Sequence, residues 1–259
     1  KLLKKQKIKY YIYDDKQSTK ENKKYVYENI KKFDTMIKSP GIPFDNELVM
    51  YAKENKVAII DEIELAARFS NYKIIAITGT NSKTTTTTKI KELLEYAGYK
   101  AEYCGNIGRS FAEVVALEIE ADFIVLELSS YQLEAINEFK PYISIVIKLT
   151  PDHLNRYKTL DEYYDSKFNI MKNQNENDYT LINIDDKEIL KREKLINKAI
   201  KRKYLSKTNE KVDFYVKNGK IYCGNEEMLE VDKLTLKGIH NLENILFIAG
   251  VSKILKLEN

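Results

Sequence analysis

The stretch from Lys73 to Tyr96 constrains the fold more than any other part of this chain. Lys73 to Thr78 is a β-branched run of strand length, Gly79 to Lys83 is a short loop, and Thr84 to Tyr96 carries Ile90, Leu93 and Leu94, continued by Ala97, at helical spacing. β-branched side chains suit a pleated surface, and such a stripe suits a helix packed on it. Gly98 fits the helix C-terminus. Strand, tight loop and amphipathic helix in that order make one crossover of a parallel sheet. The alternation recurs, with strands predicted at Phe123 to Leu128, Ile143 to Leu149 and Tyr179 to Ile184. Helices are predicted at Phe111 to Glu118, Leu160 to Lys172, Asp186 to Lys191 and from near His240, and hairpin strands within Val212 to Leu236 around Asn218-Gly219. Before Asn71 the pattern is smaller. A helix tail over Lys1 to Gln6 precedes an apolar strand at Ile8 to Tyr13 that ends in Asp14-Asp15. Helices follow at Glu21 to Lys32 and Asn46 to Asn55, with strands at Thr35 to Ile37 and Val57 to Ile60. The expected class is α/β with a mostly parallel sheet, in two domains, residues 1–70 and 71–259.

Composition removes several alternatives. No apolar run is long enough to span a bilayer, and the basic start, Lys1 to Tyr10, lacks the apolar core of a secretory signal. The net charge is only +4 and its lysines are interleaved with acids. That reads as a solvated surface, and no nucleic-acid or membrane partner is expected. Cys104 and Cys223 stand far apart with no CxxC or Cys/His cluster, which fits a reducing, cytoplasmic setting.

The loop Gly79-Thr80-Asn81-Ser82-Lys83-Thr84-Thr85 sits where a phosphate-binding loop needs to be, between a buried strand and a helix N-terminus. There Lys83 can reach β- and γ-phosphates and the Thr84 hydroxyl can ligate Mg²⁺. Ser82 stands where glycine is usual, so the loop departs from the GxxxxGKS/T pattern, and an ordinary turn before a Thr-rich helix competes. Five successive threonines, Thr84 to Thr88, are poor helix formers. Glu127 ends a strand, where ligands gather in doubly wound sheets. His153 also follows a strand, in Leu149-Thr150-Pro151-Asp152-His153-Leu154-Asn155-Arg156-Tyr157, and Lys167 lies fourteen positions on, in Tyr163-Tyr164-Asp165-Ser166-Lys167. On residue type alone Glu127 is a surface acid, His153 a structural histidine and Lys167 a solvent-facing lysine.

Taken together these motifs resemble the Mur ligases. The loop matches that family's phosphate loop with Ser82 for Gly. Glu127-Leu128-Ser129-Ser130-Tyr131-Gln132-Leu133-Glu134 looks like the stretch that marks its D-glutamate-adding members. The segment around His153 departs from the family at Lys148, usually Asn, and at Asn155, usually Asp. Gly105-Asn106-Ile107-Gly108, Gly238 to Asn244 and Ser39-Pro40-Gly41-Ile42-Pro43 are similar to three further family segments.

The resemblance implies a small partial Rossmann-like N-terminal domain that binds a UDP group, followed by a P-loop NTPase-like central domain that binds ATP. It implies an ATP-dependent ligase joining UDP-N-acetylmuramoyl-L-alanine and D-glutamate through an acyl-phosphate, with two Mg²⁺ ions. Gly79 to Thr85 and Asn244 would bind ATP, although Asn241 as a helix cap competes for the second segment. Asp14, Asp15, Ser39, Asn106 and His153 would contact the UDP precursor. Thr84, Glu127, His153 and a carbamylated Lys167 would hold metal, and Lys83, Glu127, His153 and Lys167 are the catalytic candidates. A monomer is expected. The family's first strand would precede Lys1 and its C-terminal domain would follow Asn259, so the expectation is a fragment unable to complete ligation alone. Other readings are another Mur ligase or a folylpolyglutamate synthetase, which the Glu127 to Glu134 stretch disfavours. A P-loop NTPase that does not ligate, or a non-catalytic module suggested by Ser82, Lys148 and Asn155, also remains.

Overall fold

The computed structural model describes residues 1–152, 156–233 and 239–257, without the side chains of Ile239 and His240. The first part holds helices α1 (Leu2–Lys5), α2 (Lys20–Asn29), α3 (Glu47–Glu54) and α4 (Glu62–Ala67), and strands β1 (Thr35–Ile37) and β2 (Ala58–Ile60). The larger part runs β3 (Lys73–Thr78), α5 (Lys83–Tyr96), β4 (Ala101–Gly105), α6 (Phe111–Leu117), β5 (Phe123–Glu127), α7 (Ser130–Leu133) and β6 (Ile143–Val146). It continues with α8 (Leu160–Phe168), β7 (Tyr179–Asn183), α9 (Lys187–Lys191), β8 (Lys201–Ser206), β9 (Phe214–Lys217), β10 (Lys220–Cys223), β11 (Glu226–Glu230) and α10 (Ile239–Leu255).

Nine strands form one sheet in the order β11-β10-β9-β8-β7-β6-β3-β5-β4. From β4 to β9 neighbouring strands are parallel, and β9, β10 and β11 form an antiparallel edge. After β3 the chain fills one side with β4 and β5, then crosses to the other with β6 to β8. β3 is therefore the switch point, where an open α/β sheet leaves a crevice at its strand ends.

Alternation along β3 explains why its sequence is apolar throughout. Ile75 and Ile77 pack with Ile90 and Leu94 of α5 and with Leu246 and Phe247 of α10. Ile74 and Ala76 point the other way, against Ile63 and Ala66 of α4, Phe111 and Val114 of α6, and Tyr163 and Phe168 of α8. A strand covered on both faces has no polar side to show. Thr86 and Thr87 are also fully buried, so part of the threonine run serves packing.

The small sheet pairs β1 with β2 in parallel, over a separate cluster of Val26, Ile30, Ala52 and Val57. Leu2, Ile63 and Ala66 join the large core instead. No strand forms at Ile8 to Tyr13, contrary to expectation. Among the described residues that segment has no strand to pair with, and Ile12 is 75% exposed. The helix predicted to reach Lys172 stops at Phe168 and tightens into a 3₁₀ turn over Asn169–Met171. β4, β8, α4 and the short α7 carry no sequence signal of their own. Among the described residues no helix is long and apolar enough to cross a membrane.

Candidate functional site

The carboxyl ends of β4, β5 and β3 come level because Gly105 pairs with Glu127, and Glu127 with Ile77. Gly105 has φ +101, and a Cβ there would stand 2.3 Å from the Glu127 carbonyl oxygen. Only glycine lets β4 approach so closely, and the next residue then folds over Glu127. The Asn106 amide N–H donates to the Glu127 carbonyl at 2.9 Å, and its side-chain amide donates to Glu127 Oε1 at 2.8 Å. Thr84, in the first turn of α5, donates its hydroxyl to Glu127 Oε2 at 2.9 Å. Glu127 is thus 1% exposed, with both carboxylate oxygens held by neutral donors.

The loop before α5 is tied to the segment after β6. Thr80 donates its backbone N–H to the Lys148 carbonyl at 2.8 Å. Its hydroxyl accepts from the Thr150 N–H at 3.1 Å and lies 3.3 Å from the Tyr163 hydroxyl. Asn81 donates to the Thr150 hydroxyl. Ser82 is the N-cap residue of α5, with φ +65 and no side-chain cap bond. The left-handed conformation expected of glycine is therefore kept by a serine, at a cost of about 1–2 kcal/mol. The side chains of Ser82, Thr84 and Thr85 open to solvent at the helix N-terminus, where an anion finds N–H donors and the favourable end of the dipole.

Two lysines meet beneath this loop. Lys83 donates to the carbonyls of Gly79 and Thr80, each at 3.0 Å. Lys167, on α8, donates to the same Gly79 carbonyl at 3.1 Å and lies 4.5 Å from the Tyr163 ring centre. Burial, reinforced by the Lys83 charge and opposed by Asp152, brings the Lys167 pKa down to about 7. Burial also lowers Lys83, against Glu127 and Asp152, which favour its charged form. Lys167 is 2% exposed, so the solvent-facing alternative is excluded.

Beside the loop, a cavity of about 300 Å³ is lined by Lys148, Asn183, Asp185, Asp186, Lys187, Glu188, Lys207 and Glu243. The next residue of α10, Asn244, is 2% exposed, and its amide oxygen has no partner among the described residues. His153, Leu154, Asn155 and Gly238 lie outside the described residues. Asp14 and Asp15 stay at the surface. Asp14 accepts from the N–H groups of Lys16 and Gln17, and Asp15 from the Tyr13 hydroxyl. Ser39 is exposed and opens a turn, its carbonyl accepting from Ile42 N–H. Thr84, Glu127, Asn106, Lys83 and Lys167 are therefore gathered on one strand-end crevice, while Asp14 and Asp15 make local contacts.

Sequence reasoning missed Asp152, whose charge acts on both lysines, and Tyr163, which lines the lysine pocket. Both stood in quoted motifs, Asp152 beside His153 and Tyr163 four positions before Lys167, and were findable there.

No group of three or more His, Cys, Asp or Glu side chains able to hold a metal occurs among the described residues. The donors here are of another kind. A carboxylate beside a hydroxyl offers hard oxygen atoms of the sort Mg²⁺ takes, usually one or two from protein with the rest from phosphates and water. Glu127 and Thr84 fit that pattern.

Comparisons with known proteins identify the family. The model of the Mur ligase middle domain matches residues 77–252. The UDP-N-acetylmuramoylalanine–D-glutamate ligase of Fusobacterium nucleatum subsp. nucleatum is 50% identical over 99% of the chain and 59% of its own length. The protein of that name from Thermoanaerobacter sp. strain X514 is 42% identical over 88% of the chain and 51% of its own. The chain thus spans between half and three fifths of these curated relatives. Among solved structures, a UDP-N-acetylmuramoyl-L-alanyl-D-glutamate–2,6-diaminopimelate ligase superposes with a TM-score of 0.66 at 18% identity, covering 99% of this chain and 64% of that one. A pseudomurein peptide ligase type C from Methanothermus fervidus gives 0.58 at 18% identity, over 90% and 56%. At such identities they speak for the fold alone.

Proposed function

Because this chain belongs to the Mur ligase family, we propose that it is the precursor- and ATP-binding part of an enzyme that joins D-glutamate to UDP-N-acetylmuramoyl-L-alanine. The observation that carries the reading is Glu127, its carboxylate held by Thr84 and Asn106 at the mouth of the phosphate loop. The names and identities of the curated relatives support the substrates.

On this reading the L-alanine carboxylate of the precursor attacks the γ-phosphorus of ATP. The bond to the β-phosphate oxygen breaks, ADP leaves, and an acyl-phosphate forms. The amine of D-glutamate then attacks the acyl carbon, phosphate departs and the amine proton is lost. Lys83 leaves the Gly79 and Thr80 carbonyls for phosphate oxygens and neutralises charge that grows during transfer. Loop N–H groups fix the triphosphate. Asn244 offers its amide oxygen, unpartnered among the described residues, to an adenine amino group, with the nucleoside in the cavity beside Lys148. Asp14 or Asp15, with Ser39, would meet the UDP group, and Asn106 the muramoyl part of the precursor.

Thr84 and Glu127 would hold one Mg²⁺, and His153 with Lys167 a second. Bound magnesium supplies charge neutralisation at the transferring phosphoryl group. Lys167 suits carbamylation. An amine with a pKa near 7 is substantially neutral at physiological pH, so its nitrogen can add to CO₂ and lose a proton. The product is an anion suited to a hard cation. The same reading gives a monomeric cytoplasmic enzyme with residues 1–70 as the UDP-binding domain and 71–259 as the ATP-binding domain.

The test is ADP release by the whole gene product, offered ATP, Mg²⁺, the UDP precursor and a panel of amino acids. Release that requires both the precursor and D-glutamate, with the amide product seen by mass, is expected. Hydrolysis indifferent to the precursor would instead make the chain a plain NTPase.

A further inference from the structure

The Glu127 to Glu134 segment does more than present Glu127. Ser129 and Gln132 cap the short α7 reciprocally, and Leu133 enters the large core. At its far end Glu134 accepts from Arg156 through both carboxylate oxygens, at 3.3 Å from Nε and 2.7 Å from a terminal nitrogen. The two side chains are 12% and 13% exposed. The guanidinium carbon lies 4.9 Å from the ring centre of Tyr131, one α7 turn before Glu134, and that ring stacks on Tyr157.

Both terminal nitrogens of Arg156, one of them shared with Glu134, also reach the first part of the chain. They bond the Gly41 carbonyl at 3.0 Å, the Ile42 carbonyl at 3.2 Å and the Pro40 carbonyl at 3.4 Å. Pro40, Gly41 and Ile42 form the turn after β1, and three consecutive carbonyls aimed at one guanidinium leave it little freedom. Lys38 and Asp61 lie below, both buried, and the Glu134 charge also acts on Lys38. One guanidinium thus joins the turn of the small sheet to a segment whose other end is the Glu127 carboxylate.

We infer that Arg156 and Glu134 are positioning residues that hold the turn at residues 39–43, and the UDP precursor on it, in register with the phosphate loop. The inference rests on the proposed assignment of that turn to the precursor. The guanidinium is suited to this because its planar fork serves a carboxylate and several carbonyls at once, whereas an ammonium is a point charge. Reach from the turn to the loop decides whether the precursor's carboxylate meets the γ-phosphate, and small misplacements of reacting groups are costly in rate.

The decisive variant is Arg156→Lys in the whole enzyme, which keeps the charge opposite Glu134 and loses the fork. Amide hydrogen exchange is followed at Ile42 and Asn46, whose N–H groups bond the Ser39 and Pro43 carbonyls, together with steady-state kinetics for each substrate. Exchange is expected to quicken at least about tenfold, and KM for the UDP precursor to rise at least about tenfold, with KM for ATP within about twofold. Glu134→Gln retains one acceptor oxygen and should give a smaller change in the same two readouts, which also serves if Arg156→Lys folds poorly. Unchanged exchange in both variants would overturn the clamp. Faster exchange with an unchanged precursor KM would overturn its positioning role. A wild-type enzyme with no precursor-dependent turnover would instead sink the proposed function, while exchange would still report on the clamp.

Discussion

Glu127 and the Asp14-Asp15 pair are acids expected to work at two ends of one reaction, and the chain fixes them very differently. Glu127 ends an interior strand flanked by β3 and β4, and its backbone and carboxylate are held from β4 and α5. Asp14 and Asp15 follow a segment with no strand pairing, with exposed Ile8, Tyr10, Tyr11 and Ile12 before them. A strand end inside a sheet fixes a side chain through the register of its neighbours. An acid on a loop has only its own turn.

The largest contrast should appear in turnover. Lys83→Met should lower kcat of the whole enzyme by about a thousandfold, the scale of removing one donor to developing charge. Asp14→Asn and Asp15→Asn should each change precursor KM by less than about tenfold. Comparable losses at all three positions in steady-state kinetics would break the contrast.

Stability should follow the same division. Ile77→Ala, in the core between β3 and α5, should destabilise by about 2–5 kcal/mol in urea titration. Ile12→Ser should stay within about 0.5 kcal/mol.

A finer test uses pH. Folded Lys167 releases its proton near pH 7, whereas an unfolded chain keeps it to about 10.4. Between those values the unfolded state binds more protons, so stability should climb as pH rises through 7 toward 10. The Lys167 contribution is absent below that window and complete above it. Denaturation midpoints across the window should flatten in Lys167→Met. The smallest effect belongs to the loop. Ser82→Gly relieves the left-handed serine by about 1–2 kcal/mol but frees the unfolded chain by about half as much. A net gain under about 1 kcal/mol is expected, and a loss would show that the hydroxyl contributes something the geometry does not reveal.

What could be read from sequence follows the same physics. β3 was legible to the residue, and β5 and β7 nearly so, because interior parallel strands are apolar on both faces. β8 begins Lys201-Arg202-Lys203, and β4 is a half-buried edge strand, so neither carried that signature. Ile8 to Tyr13 carried it, yet among the described residues it has no strand to pair with. In the site, Glu127 and Lys167 were found through motifs. The meeting of Lys83 and Lys167 on one carbonyl, and of Arg156 with three others, involves backbone acceptors that leave no mark on residue type.

On the proposed reading Thr84, Glu127 and Lys83 receive the phosphates and metal of ATP. A crystal of the protein soaked with a non-hydrolysable ATP analogue and Mn²⁺, read by anomalous scattering, tests it directly. An ion is expected within about 2.0–2.3 Å of a Thr84 or Glu127 oxygen, allowing slightly longer bonds than Mg²⁺ makes, with Lys83 turned onto a phosphate. An ion seated among Asp185, Asp186 and Glu188, with Glu127 still bonded to Thr84 and Asn106 and no phosphate at the loop, would contradict it.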